Sequence, residues 1–175
     1  QTISDLVIGS RILVQHNVLD AFGHVSARHP DRDDRFLMSS RIAPGLITEN
    51  DIFEFNLDGE LVFPDDTPLF LERYIHSEIY RARSDVNSVV HSHSNSMITV
   101  GVVSTQTLRP VCHMCGFLGR GAPVFEIRDV AGDSSNLLIS SPKLGSALAE
   151  KLDSSDVVLM RGHGSTAVAP TVKLA

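Results

Sequence analysis

The chain has 175 residues, 42% of them hydrophobic, which suits a single domain over residues 1–175 with a sizeable core. Its 21 acidic and 15 basic side chains leave a formal charge of −6, which argues against non-specific binding to nucleic-acid phosphates. No apolar run reaches membrane-spanning length and no basic-then-apolar leader opens the sequence, so neither a membrane partner nor export is expected and the cytoplasm is the default location.

Apolar residues at Ile3, Leu6, Val7, Ile12, Leu13 and Val14 recur at helical spacing, with Ser4 as the expected N-cap and the end near His16-Asn17. Gly23-His24-Val25-Ser26-Ala27-Arg28 alternates as a strand, with His24, Ser26 and Arg28 on one face. Three polar groups along a face either meet solvent or line a pocket, and for Ser26 backbone bonding is the other reading. A charged turn follows at residues 29–34, and Arg35 to Ser39 returns as a second strand. Ile52 to Leu57 reads as a third strand, closed by Asp58-Gly59 as a hairpin onto Leu61-Val62-Phe63.

A helix is expected from Leu69 to Arg83, with Glu72 and His76 four apart on one face. Val89-Val90-His91-Ser92-His93 then reads as a strand running to its end, and Met97 to Gly101 as helical. Leu108 to Gly121 is a loop holding His113 and the pair Cys112 and Cys115. No second cysteine pair completes a zinc knuckle, so the thiols are expected to be buried and inert. Val124 to Ile127 is a short strand, Leu144 to Leu152 a helix, and Val157 to Met160 the last core strand. The tail after His163 is short for a domain ending on a central strand, so a further C-terminal helix is expected beyond it. Early hairpins followed by helices between strands imply an α/β fold, a three-layer α/β/α sandwich around a mixed, largely antiparallel sheet.

Side chains two apart in a strand share a face, so His91 and His93 can approach one ion together. A third histidine, His163, follows the valine-rich run inside Arg161-Gly162-His163-Gly164, where the glycines remove bulk and permit a sharp turn. Three neutral imidazoles and an open position have the form of a catalytic divalent-metal site. A lone His-x-His is more often a buried pair bonded to carbonyls; it is His163 that tips the reading towards metal.

Gly23-His24-Val25-Ser26, the helix bearing Glu72 and His76, the Val89–His93 strand and Arg161-Gly162-His163-Gly164 together resemble the class II aldolase/adducin family over nearly the whole chain. The resemblance implies a divalent ion (zinc, or manganese, iron or cobalt) held by His91, His93 and His163, with Glu72 as ligand or acid/base. It also implies a homo-oligomer, typically a cyclic tetramer, with sites near subunit interfaces. The family's phosphosugar aldolases carry asparagine where His24 stands, a Thr-Gly loop where Ser39-Ser40-Arg41 stands, and a serine pair where Phe70-Leu71 stands. Phe and Leu donate no hydrogen bonds to a phosphate dianion, whereas Arg41, Arg28 and His24 suit a carboxylate.

With the run from Leu108 through His113 to Gly119, these changes resemble the family's decarboxylases of hydroxylated aromatic dicarboxylates. The expected activity is therefore metal-dependent, non-oxidative decarboxylation of a small carboxylate. Glu72 or His24 is the expected proton donor, and Ser26, Arg28, Ser39, Ser40, Arg41 and His113 are expected to contact substrate. A retro-aldolase using Glu72, and a catalytically silent adducin-like module, are the competing readings. The retained histidines weigh against the silent module.

Overall fold

The computed structural model describes residues 1–103 and 107–175. Its regular elements are α1 (Thr2–Gln15), β1 (His24–His29), β2 (Arg32–Ser39), β3 (Ile52–Asn56), α2 (Arg73–Ala82), β4 (Ser88–Ser92), α3 (Asn95–Val102), β5 (Val124–Phe125), α4 (Arg128–Ala131), α5 (Pro142–Leu152), β6 (Val157–Met160) and β7 (Gly164–Ala169). Seven strands form one sheet in the order β3-β2-β1-β4-β7-β6-β5. Every pairing is antiparallel except β5 with β6, so the sheet is mixed and largely antiparallel as the sequence pattern implied.

Strand alternation sorts the core into two layers. Val25, Ala27, Leu37 and Val90 face one side and pack against Leu6 of α1 and Leu19. Their sequence neighbours Phe36, Met38 and Val89 face the other side, against Ile75, Ile79 and Tyr80 of α2 and Leu148 and Leu152 of α5. His24, Ser26 and Arg28 share this second face, which α2 covers, so all three are buried. Each large core side chain removed from water on either layer contributes about 1.5–3 kcal/mol.

Four expectations are corrected. The first helix begins at Thr2, so Ser4 lies inside it, and takes Gln1 as its N-cap, without a side-chain cap bond. Helix α2 starts at Arg73 rather than Leu69; Pro64 and Pro68 precede it, and Glu72 occupies the N-cap with its side chain turned to other partners. Leu61 makes a single bridge to Phe55 instead of a full hairpin strand. The largest miss is β7, which lies centrally between β4 and β6 although its sequence, Gly-Ser-Thr-Ala-Val-Ala, is small and polar. A strand hydrogen-bonded on both edges is buried by its neighbours rather than by its own side chains, and Thr166 is wholly buried there.

Cys112 and Cys115 are also misplaced by the sequence reading. They sit on a 3-10 turn, His113–Leu118 with Cys112 as its N-cap, where Cys112 is exposed and Cys115 half-buried. Residues three apart eclipse on such a turn, which brings the two sulfurs to 3.5 Å.

Candidate metal centre

Four elements deliver the cluster. His91 comes from the end of β4, His93 from the turn into α3, His163 from the β6–β7 turn and Glu72 from the N-cap of α2. The β6–β7 turn closes only because of its glycines: Gly162 adopts φ of 72°, and a Cβ on Gly164 would collide with the carbonyl of Ser92. That close approach lays His163 beside His93.

The Nε2 atoms of His91 and His93 lie 3.1 Å apart, as do those of His93 and His163. Oε2 of Glu72 is 3.5 Å from Nε2 of His91 and 3.3 Å from Nε2 of His163. All four candidate ligand atoms fall within 4.8 Å of one another.

Each imidazole is oriented from behind by a group that can only accept. Nδ1 of His91 donates to the Ser165 carbonyl at 3.1 Å, and Nδ1 of His163 to the Leu137 carbonyl at 2.7 Å. Nδ1 of His93 faces both carboxylate oxygens of Asp20 at 3.1 Å. With the ring proton committed to Nδ1, each neutral ring carries its lone pair on Nε2, and three lone pairs converge. Two nitrogen pairs at 3.1 Å with no proton between them are mutually repulsive unless a cation sits among them. The spacing also fits such an ion: zinc–nitrogen bonds imply about 3.3 Å between tetrahedral ligands and about 3.0 Å at right angles. A divalent ion therefore suits this donor set.

Glu72 is held for the same task. Its Oε1 accepts the amide of Ile139 at 3.0 Å, leaving Oε2 towards the histidines. In the metal-free state burial opposes ionisation of Glu72, but His163 and His91, when protonated on Nε2, outweigh it by hydrogen bonds and charge and hold the carboxyl far below its ordinary range. His91 is pushed down chiefly by burial, against the pull of Glu72. His163 moves up: burial lowers it, but Glu72 and the Leu137 carbonyl more than compensate. Asp20 stays low because the amides of Phe22 and Gly23 and the His93 ring overcome its partial burial.

The remaining predicted site residues divide. His24 pairs across the sheet with His91, and their ring centroids are 5.1 Å apart. It also packs against Phe70, at 4.6 Å. Ser39 and Ser40 are buried at the end of β2, and Arg41 is exposed just beyond, its amide bonded to the Pro68 carbonyl in the loop that leads to Phe70 and Glu72.

Arg28 and Ser26 do not join this group. Arg28 spends its guanidinium on the carbonyls of Val86, Asp33, Tyr80 and Arg83, clamping the end of α2 to the sheet. Ser26 is wholly buried between His76 and Tyr80. Both side chains are committed to contacts beneath α2 and make no hydrogen bond to the histidine–glutamate cluster. His113 is exposed on its 3-10 turn and has no contact with the cluster in this chain.

Asp20 escaped the sequence reading. Its one signal was an Asp three residues before Gly23, the spacing at which a carboxylate captures turn amides; Oδ1 accepts from both Phe22 and Gly23. The Leu137 carbonyl and Ile139 amide left no signal at all, since any residue supplies a backbone group.

Residues 5–175 match the model of the class II aldolase and adducin N-terminal domain. The chain belongs to this family. A decarboxylase of Talaromyces stipitatus, tropJ, is 41% identical over 182 residues, covering 97% of this chain and 68% of that protein. The 3,4-dihydroxyphthalate decarboxylase of Arthrobacter keyseri is 25% identical over 188 residues, covering 97% and 70%. An aldolase II superfamily protein of Pseudomonas syringae superposes with a TM-score of 0.80 at 22% identity, covering 98% of this chain and 66% of that one, which shows the shared fold. The chain thus spans about two thirds of the length of these relatives. Family and relatives together support a lyase of decarboxylase or aldolase type acting on a small molecule, in a family whose aldolases depend on a divalent metal and are typically oligomeric. Among the described residues, no helix is long and apolar enough to cross a membrane.

Proposed function

We propose that this domain catalyses the divalent-metal-dependent, non-oxidative decarboxylation of a hydroxylated aromatic carboxylate, in the cytoplasm and as a homo-oligomer. The observation that carries the reading is Phe70, buried against His24 two residues before Glu72. An aromatic ring packed against His24, beside the histidine–carboxylate cluster, offers no hydrogen bond to a phosphate and an apolar face to an aromatic substrate.

His91, His93, His163 and Glu72 would hold the ion, whose Lewis acidity would stabilise the negative charge left as carbon dioxide departs. The protein's own groups do the rest. Arg41, which makes no side-chain hydrogen bond or ion pair among the described residues, grips a second carboxylate in a two-pronged bond, with Ser39 and Ser40 beside it. Phe70 excludes water from the ring face. Glu72, anchored on one oxygen by Ile139, keeps the other for the metal or for the proton delivered to the ring carbon, and His24 is the second candidate donor.

The test couples metal analysis to carbon dioxide release from a panel of hydroxylated aromatic mono- and dicarboxylates. Stoichiometric metal and enzyme-dependent carbon dioxide are expected. Release of an aldehyde from a hydroxy-keto acid, with no carbon dioxide from any aromatic acid, would replace the decarboxylase by a retro-aldolase.

A further inference from the structure

A second run of polar side chains lies behind the metal cluster and has no part in holding it. Nδ1 of His24 is 2.7 Å from Nε2 of His76, Nδ1 of His76 is 2.6 Å from Oγ of Ser26, and Oγ of Ser26 is 2.7 Å from the hydroxyl of Tyr80. All four residues are at most 2% exposed. One end of the run is open: Nε2 of His24 is buried and has no hydrogen-bond partner among the described residues.

Each of the three contacts needs one proton, and the ring nitrogen on which His76 carries its proton gives the run one of two senses. In the first, Tyr80 donates to Ser26, Ser26 to His76, and Nε2–H of His76 to Nδ1 of His24, which leaves the His24 proton on Nε2. In the second, His24 and His76 both donate from Nδ1, Ser26 either donates to Tyr80 or accepts from it as well, and the hydroxyl hydrogen of Tyr80 or of Ser26 is left without an acceptor among the described residues. Among the described residues the first leaves one buried group unpaired, the Nε2–H of His24, and the second leaves two, a hydroxyl hydrogen and the bare Nε2 of His24, so the first is favoured by about 1–3 kcal/mol, the cost of the extra unpaired group. Both rings are wholly buried, where a charged form is costly, so the run is built of neutral imidazoles.

We propose that Tyr80, Ser26 and His76 are a positioning relay that fixes His24 as its Nε2–H tautomer, presenting a hydrogen-bond donor to an anionic oxygen of a carboxylate bound at the histidine cluster. The ring that carries this N–H packs against His91 of the cluster and against Phe70. Its missing partner is therefore supplied by a ligand rather than by the fold. The substrate class rests on the function proposed above; the tautomer does not.

The relay is read directly by two-dimensional nitrogen NMR of the histidine rings, in the zinc-supplemented protein. Wild type is expected to show Nε2 of His24 in the protonated range and Nδ1 in the unprotonated range. In Ser26→Ala neither sense is favoured, because His76 loses its donor and Tyr80 its acceptor. The His24 signals should then move towards each other as the tautomers mix. Ser26→Thr restores the hydroxyl and should restore the wild-type pattern, and Tyr80→Phe should keep it, since Ser26 still has only His76 to donate to.

A wild-type His24 carrying its proton on Nδ1 overturns the proposal even if no variant folds. A Ser26→Ala protein whose His24 signals do not move removes the relay's role. The expected pattern in a protein that releases no carbon dioxide from any acid would sink the proposed function and leave the tautomer assignment standing.

Discussion

Asp20 and His93 are 73 residues apart, yet both carboxylate oxygens of Asp20 lie 3.1 Å from Nδ1 of His93. The same carboxylate accepts the amides of Phe22 and Gly23, so one side chain shapes the turn before β1 and aims an imidazole at the cluster. Groups that orient a metal-bound histidine from behind typically change metal affinity or activity 10- to 100-fold when altered. Asp20→Asn keeps one acceptor and removes the charge. It should weaken zinc binding by roughly 10- to 100-fold in a competition titration, with little change in the stability of the metal-free protein. Unchanged zinc affinity would remove Asp20 from the metal centre.

His91→Ala deletes the most deeply buried imidazole of the cluster and leaves Glu72 facing His163 alone. Bound metal and turnover should both vanish, as measured by elemental analysis and carbon dioxide release. A variant active without metal would defeat the mechanism.

Arg41→Ala separates substrate binding from metal binding. A charge-assisted bond of about 1.5–3 kcal/mol corresponds to roughly 10- to 100-fold in affinity. KM for a dicarboxylate should rise by that factor, with metal content unchanged. A fall in metal content with KM intact would place Arg41 in the fold instead.

Arg28 illustrates where a correct pattern led to a wrong role. Alternation placed His24, Ser26 and Arg28 on one face, and they are on one face, but α2 covers it. The guanidinium is satisfied by four carbonyls, one of them from Arg83, immediately beyond α2. Truncation leaves those carbonyls without a donor, each at about 1–3 kcal/mol where burial is complete. Arg28→Ala should therefore destabilise the protein by on the order of 3 kcal/mol in urea unfolding, while the folded fraction keeps its wild-type KM.

The same contrast runs through the whole molecule. His91, His93 and His163 were legible because strand periodicity and flanking glycines are local properties of the chain. The central place of β7 was not, because Ser165 and Thr166 are buried by the strands on either side of them. The Asp20–His93 contact and the Ile139 amide on Glu72 depend on elements distant in sequence, and residue type alone carries no trace of such pairings. The place of Glu72 beside the three histidines came only through resemblance to a family, since its four-residue spacing from His76 shows a shared helix face and nothing more.

Acid stability should report the buried relay. Burial, helped by the neighbouring His91, takes His76 from 6.5 to about 3, and burial with its histidine neighbours takes His24 well below 6.5. In the unfolded chain both rings protonate as pH drops through about 6.5, while in the native state they stay neutral. The unfolded state then binds more protons, and stability falls with falling pH at about 1.4 kcal/mol per pH unit for each ring. Glu72, whose folded value is depressed, contributes stability above 4.5 that is lost as pH falls, so the decline steepens there. His163 has the opposite sign: its raised value contributes fully below 6.5 and is lost only as pH rises through the folded value, so it does not cancel the acid-side loss. Urea midpoints of the chelator-treated protein between pH 7 and pH 4 should fall throughout, and His76→Gln should make the fall shallower by about one proton's worth. A midpoint flat across that window would mean that these rings take up protons inside the native fold, and the neutral relay would go with it.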